Sequence, residues 1–246
     1  MKLDIIFSPV GLTPGETAGR TVFLVDILRA TTTMCAALTH GARAVIPVAS
    51  TEEALKLAQT LDKDDTLLAG EQNCVRIPGF ALGNSPREMT EDVVRGKTLV
   101  LRTTNGTRAL LAIQGAGAVY AVAAANISEA GAKAKEVWEA DRDLLVVCAG
   151  RENAFSLDDA YTAGRLAVAA MGGRKRSKGL NDAALACLDL VRRYGDRWDR
   201  PLRASRAGRE LARLGFQEDV LDAARPDAYP VLLQYHDRRV TAVAKG

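Results

Sequence analysis

Two histidines, His40 and His236, are all that 246 residues contain, which argues against the imidazole clusters of transition-metal sites and against a phosphohistidine route. His40 precedes Gly41 at the end of a helical stretch, where compensation of the helix dipole is a sufficient role. Cysteine is scarce too. Cys35, Cys74, Cys148 and Cys187 show no C-x-x-C spacing, so a structural zinc site is not expected and reduced thiols are. The Walker loop, G-x-G-x-x-G and G-x-S-x-G are all missing, which removes support for nucleoside triphosphates, dinucleotides and a serine nucleophile elbow. Aromatic residues make up 5% of the chain, and the one basic run, 172–179, is bordered by glycine; it reads as a solvated loop, and no nucleic-acid partner is expected. No apolar run approaches the roughly 18 residues of a membrane span, and the first residues lack a basic-then-apolar signal. A cytoplasmic protein with no membrane partner is expected, with room left for a homo-oligomer.

The chain is 48% hydrophobic and 26% charged, with acids and bases interspersed to a net +3, enough to bury a full core. Short runs of Val, Ile and Leu alternate with Ala-rich segments of helical period, the pattern of strands joined by crossover helices. Strands are predicted at 3–7, 21–25, 44–48, 66–69, 98–101, 118–122 and 144–148. Helices are predicted at 32–38, 51–61, 106–113, 128–139 and 157–171. The strands are apolar nearly throughout, as strands covered on both faces are. The fold class is therefore α/β: a three-layer α/β/α sandwich with a mainly parallel or mixed sheet, one domain over 1–246. Amphipathic stretches at 182–194, 205–214 and 217–224 predict a C-terminal helical layer (172–228) packed on it. The stretches 231–234 and 240–243 predict a closing antiparallel hairpin at a sheet edge. Residues 70–88 carry too many breakers for a strand and read as an ordered loop over the site. Ser85 and Pro86 would open the next helix.

Polar clusters follow the predicted strands: Asp26 and Arg29; Glu71 and Asn73; Thr103, Thr104, Asn105 and Thr107; Asn126; Arg151, Glu152 and Asn153. In a parallel sheet such loops meet on one rim, where helix amino termini present free N–H groups. Taken singly, Thr31 or Thr32, Asn105, and Asn126 or Ser128 are ordinary helix caps. Caps do not account for the carboxylates and arginines beside them. Asp26 and Glu71, with so little histidine in the chain, suit a hard cation such as Mg²⁺. Leu101-Arg102-Thr103-Thr104-Asn105-Gly106-Thr107-Arg108 is the best phosphate cradle, since Gly106 permits close approach to an anion at a helix start. Arg29, Arg102, Arg108 and Arg151 could each grip an anion as a planar fork. Cys74 reads as a structural thiol, and Asp158 as an acid near a helix cap.

At these residues the chain resembles the 2-phosphosulfolactate phosphatase (ComB-like) family. The matching stretches are Val25-Asp26-Ile27-Leu28-Arg29-Ala30-Thr31-Thr32-Thr33, Gly79 with Leu82-Gly83-Asn84-Ser85-Pro86, Leu101 to Ala109, and Cys148-Ala149-Gly150-Arg151 with Phe155-Ser156-Leu157-Asp158-Asp159. The resemblance implies a Mg²⁺-dependent phosphatase that converts 2-phospho-3-sulfolactate, a small anionic phosphorylated substrate, to 3-sulfolactate and phosphate in coenzyme M biosynthesis. Asp26 and Glu71 would hold the metal or activate water, and Arg29 and Arg151 would neutralise charge on the phosphoryl group. Thr103, Thr104, Asn105, Gly106 and Thr107 would cradle the phosphate, and Thr32 and Asn84 complete the candidate substrate contacts. Two departures stand out: Glu71-Gln72-Asn73-Cys74 where the family pattern has Glu-Arg-Asn-Gly, and Ala81 where an acid is common. They keep two alternatives open, a phosphatase for another phosphorylated hydroxy acid and a non-catalytic anion-binding module.

Overall fold

Each apolar run becomes a strand in the computed structural model, which describes residues 2–104, 106–172 and 178–244. The chain opens with β1 (Leu3–Ile6), α1 (Pro14–Thr17), β2 (Thr21–Val25), α2 (Ala30–Thr39), β3 (Ala44–Val48) and α3 (Thr51–Thr60). It continues through β4 (Thr66–Gln72), β5 (Val75–Arg76), α4 (Glu91–Val94), β6 (Thr98–Arg102), α5 (Gly106–Ala112) and β7 (Ala118–Val122). Next come α6 (Ile127–Glu139), β8 (Leu144–Cys148), α7 (Leu157–Ala170), α8 (Asp182–Tyr194), α9 (Asp199–Ala204), α10 (Arg206–Arg213) and α11 (Gln217–Ala223). β9 (Leu233–His236) and β10 (Arg239–Ala242) close it. Most of the basic run read as a surface loop, 173–177, lies outside the described residues.

The period-two alternation of strand side chains builds a separate core on each face of the sheet. Phe23, Val25, Val45, Leu99 and Leu101 face α2, α6, α7 and α8. Val22, Leu24, Val119 and Val147 face Ala109, Leu110 and Ile113 of the α5 segment, while Ile46, Val48 and Val100 face Ala54 of α3. The result is the expected α/β sandwich with a mixed sheet. Helix α2 carries no charged side chain and is buried from Ala30 to Leu38, as a helix apolar all round must be. Its buried threonine hydroxyls are paired: Thr32 Oγ1 donates to Ile27 O at 2.8 Å, and Thr33 Oγ1 to Asn84 O of the distant 70–88 segment at 3.0 Å.

Three sequence expectations are corrected. The strand order is β1-β8-β2-β7-β9-β10-β3-β6-β4-β5, so the closing hairpin lies in the middle of the sheet and not at an edge. β9 pairs antiparallel with β7, and β10 antiparallel with β3. The parallel blocks β1-β8-β2-β7 and β3-β6-β4 therefore run in opposite directions, and the hairpin satisfies the backbone groups that each would otherwise leave open. Neighbouring strands rotate by roughly 20–25°, and six pairings separate β2 from β4. Residues at the carboxyl ends of strands from both blocks nevertheless line one cavity.

Glu71, expected in a loop, is on strand β4. The strand runs on to Gln72, turns through Asn73 (φ 54°) and Cys74 (φ 67°), and pairs with β5 at Glu71↔Arg76 and Gln72↔Val75. A two-residue connection with both φ values positive is the hairpin turn matched to strand twist. Only glycine fits before it: Gly70 has φ 148°, and a Cβ there would lie 2.3 Å from Arg102 O. The helix expected after Ser85 is a single 3-10 turn, Pro86–Glu88, whose Arg87 N–H donates to Ser85 Oγ at 3.3 Å.

Candidate active site

Carboxyl ends of β2, β4, β6 and β8 surround a cavity of about 110 Å³, lined by Asp26, Leu28, Arg29, Glu71, Asn73, Cys74, Asn84, Thr103, Thr104, Arg151, Glu152 and Leu211. Asp26 leaves β2 at the start of the α2 loop and is only 7% exposed. Its carboxylate accepts backbone N–H groups of Ala30 and Gly106, the first residues of α2 and α5. A Cβ on Gly106 would stand 3.0 Å from Asp26 Oδ2. The absence of a side chain at Gly106 lets its N–H reach the Asp26 carboxylate. Burial first, then repulsion from Asp158 and Glu71, pushes the Asp26 carboxyl up to about 7, against the pull of its two N–H donors.

Glu71 is held across two loops. Its Oε2 accepts Cys74 N–H at 2.7 Å, and its Oε1 accepts the Thr104 N–H at 3.0 Å and hydroxyl at 2.8 Å. Arg102 turns away from the cavity, donating to Glu71 O, and Arg108 donates to Asn153 Oδ1 at 2.7 Å. Arg29 and Arg151 are the arginines that line the cavity. The Arg29 guanidinium donates to Asp219 Oδ2 at 2.7 Å and to Cys74 O at 2.6 Å, with its Cζ 4.6 Å from the Phe216 ring centroid. Arg151 Nη2 lies 3.9 Å from Cys74 Sγ, and its buried Nε has no hydrogen-bond partner.

Asn84 is 4% exposed, and its Oδ1 likewise lacks a partner. A buried amide left unpaired costs about 1–3 kcal/mol, so two orphaned polar groups on one cavity wall mark a place for a polar ligand. Asp159 ties the loops together. Its oxygens accept Ile27 N–H and Gly150 N–H, each at 3.0 Å, linking the Asp26 and Arg151 loops. Asp158 accepts from Ser156 Oγ, and burial raises its carboxyl above the usual range.

The structure thus gathers Asp26, Arg29, Glu71, Asn84, Thr103, Thr104 and Arg151 around one space, with Gly106 behind Asp26. Thr32 is not among the lining residues, because its hydroxyl is spent on Ile27 O within its own helix start. Asn126, on one of the polar loops, is absent as well: its amide serves Ala121 O, Val231 O and Ala123 N–H. Asn105 and the Thr107 side chain lie outside the described residues. Cys35, Cys148 and Cys187 are buried free thiols, whereas Cys74 is half-buried on the cavity wall. His40 ends α2, its Nδ1 2.5 Å from Met89 O. Leu211, Phe216 and Asp219 give no signal in the sequence, because an apolar residue or an early acid in an amphipathic helix is explained by packing and dipole alone.

Among the described residues, no three or more His, Cys, Asp or Glu side chains come together as a metal-holding group. A magnesium ion needs only one or two carboxylates, with water and phosphate oxygens completing its shell. Asp26 and Glu71 fit that modest requirement. A cation between them would offset the repulsion that Glu71 exerts on the buried Asp26 carboxylate. No helix among the described residues is long and apolar enough to cross a membrane.

The family profile for 2-phosphosulpholactate phosphatase matches residues 7–238. A probable 2-phosphosulfolactate phosphatase of Symbiobacterium thermophilum is 40% identical over 92% of this chain and 95% of its own length. Proteins of the same description from Caldanaerobacter subterraneus subsp. tengcongensis and Clostridium acetobutylicum are 36% and 33% identical. The first alignment covers 87% of this chain and 86% of that relative, the second 96% and 97%.

Proposed function

The chain belongs to the 2-phosphosulpholactate phosphatase family, a family of phosphoric monoester hydrolases, and from that premise we propose that it hydrolyses 2-phospho-3-sulfolactate to 3-sulfolactate and phosphate with the help of Mg²⁺. The observation that carries the reading is one small cavity lined by three carboxylates, Asp26, Glu71 and Glu152, with two arginines and the unpartnered Oδ1 of buried Asn84. A cavity of about 110 Å³ suits a small acid. Two guanidinium groups on its wall match a substrate with more than one strongly anionic group.

Phosphoryl transfer asks a protein mainly for positioning and charge stabilisation. Asp26 and Glu71 would hold the Mg²⁺, which when bound supplies positive charge to the phosphoryl oxygens. Arg29 and Arg151 bind the remaining anionic oxygens, and the Asn84 amide orients the acid backbone. Thr104 and the Cys74 N–H hold Glu71 in its rotamer, so the cavity is organised before substrate arrives. Asp26, on the cavity wall, would also orient an attacking water by accepting its hydrogen bond.

The side chain of Cys74, standing on the cavity wall where the family pattern has glycine, favours a second reading in which a different 2-phospho acid is preferred. Phosphate release from 2-phospho-3-sulfolactate and a panel of 2-phospho acids, with Mg²⁺ or with excess chelator, separates the two. Mg²⁺-dependent turnover preferring the sulfonate is expected, with Asp26→Asn at least about 10²-fold slower. Equal turnover by the variant would remove Asp26 from the chemistry, and chelator-resistant turnover would remove the metal.

A further inference from the structure

We propose that Asp219, on the C-terminal helix α11, is a positioning residue of this site: it fixes the Arg29 guanidinium in the cavity, so that the C-terminal helices complete the active site as well as cover it. The inference rests on the phosphatase reading of the cavity. Arg29 and Asp219 form an ion pair at 2.7 Å in which both side chains are 3% exposed. Burying such a pair is a poor route to stability, because apolar residues of similar volume commonly do as well or better. Orientation is a better reason. A guanidinium has five N–H donors in a planar fork. Here one edge is held by Asp219 Oδ2, the other by Cys74 O, and a face lies against Phe216. Held that way, the fork presents its remaining donors in one orientation, which a free arginine with its many rotamers would not do.

The second oxygen of Asp219 extends the clamp. Oδ1 accepts from Ser85 Oγ at 2.7 Å, and Ser85 follows Asn84, a cavity-lining residue whose buried Oδ1 is unpartnered. One carboxylate therefore sets two walls of the site. The docking of α11 does not depend on it alone. Val220 and Ala223 are buried in the main core, and Arg87 pairs with Asp222 at 2.8 Å between the same two segments. Asp219→Asn, which keeps the shape and removes the charge, is thus expected to fold.

Asp219→Asn should lower kcat by about 10- to 100-fold in the folded protein, and its thermal midpoint should fall, because the buried Arg29 charge loses its partner. Arg29→Ala should be slower still, and low-millimolar guanidinium chloride, against a sodium chloride control, should restore part of its activity, since the seat for a guanidinium remains. In the Arg29→Ala/Asp219→Asn protein the same addition should restore none. A purely structural Asp219 would not produce that difference. Calorimetric titration of guanidinium into the two proteins reads the seat without turnover: binding to the single variant and none to the double one is expected, and equal binding overturns the inference. Wild-type kcat and KM in Asp219→Asn would overturn it too. Absence of hydrolysis by the wild-type protein across the substrate panel would instead count against the functional reading, leaving the titration to decide on Asp219.

Discussion

Asp26 carries opposing demands. Two helix-start N–H groups favour its charge, while burial and the neighbouring Asp158 and Glu71 disfavour it, and the second set prevails, pushing the carboxyl up to about 7. An unfolded aspartate titrates near 3.9. Between those values the folded protein retains a proton that the unfolded chain has released, so stability falls as pH rises through the window and levels off above it. Metal-free protein is therefore expected to be less stable at pH 7.5 than at pH 5 through this group, by roughly 1–4 kcal/mol. Asp26→Asn should flatten that slope in urea titrations at the two pH values. A slope unchanged by the substitution would show that the proton is held elsewhere. Residue-scale chemistry of this kind is partly legible in sequence. Asp26 directly follows an apolar run and Thr103 comes one residue after another, whereas Asp219 looks like any early acid on a surface helix until Arg29 is brought against it.

The β4–β5 hairpin shows the element scale. Its reading as a loop failed because Gly70 and Asn73 are breakers in a linear scan, while in space they are what the hairpin needs: Gly70 lets β4 pass Arg102, and Asn73 with Cys74 makes the turn. Gly70→Ala would place a methyl group 2.3 Å from Arg102 O on a backbone with φ 148°. A loss of more than about 3 kcal/mol is expected from the combined clash and strain, read as a lower denaturant midpoint. Activity should fall with it even in the folded fraction, because Glu71 is the next residue. A Gly70→Ala protein of native stability would mean that β4 can shift against β6 at little cost. Helix α2 was easier to foresee, since a stretch with no charge between Ala30 and Thr39 has nowhere to go but the interior.

At the scale of the whole molecule the late hairpin is the keystone. Leu233 and Val240 are in the main core, and β9 and β10 cover the facing edges of β7 and β3. Removing residues 229–244 should leave two long open strand edges and yield aggregated protein; a soluble, cooperatively folding truncation, judged by size-exclusion chromatography and thermal melting, would show that the two blocks can pair without it. The sequence by itself determined the α/β class, the positions of the main strands and helices, and the polar clusters at strand ends. All of these follow from periodicity, caps and turn residues, which act over a few neighbouring positions. Only the tertiary structure decided that the parallel blocks run in opposite directions, that the hairpin joins them, that Thr32 turns inward, and that α11 reaches Arg29 with Asp219. Those outcomes depend on pairings between residues as many as 190 positions apart, and no local propensity encodes which distant partner a strand edge or a charged side chain will meet.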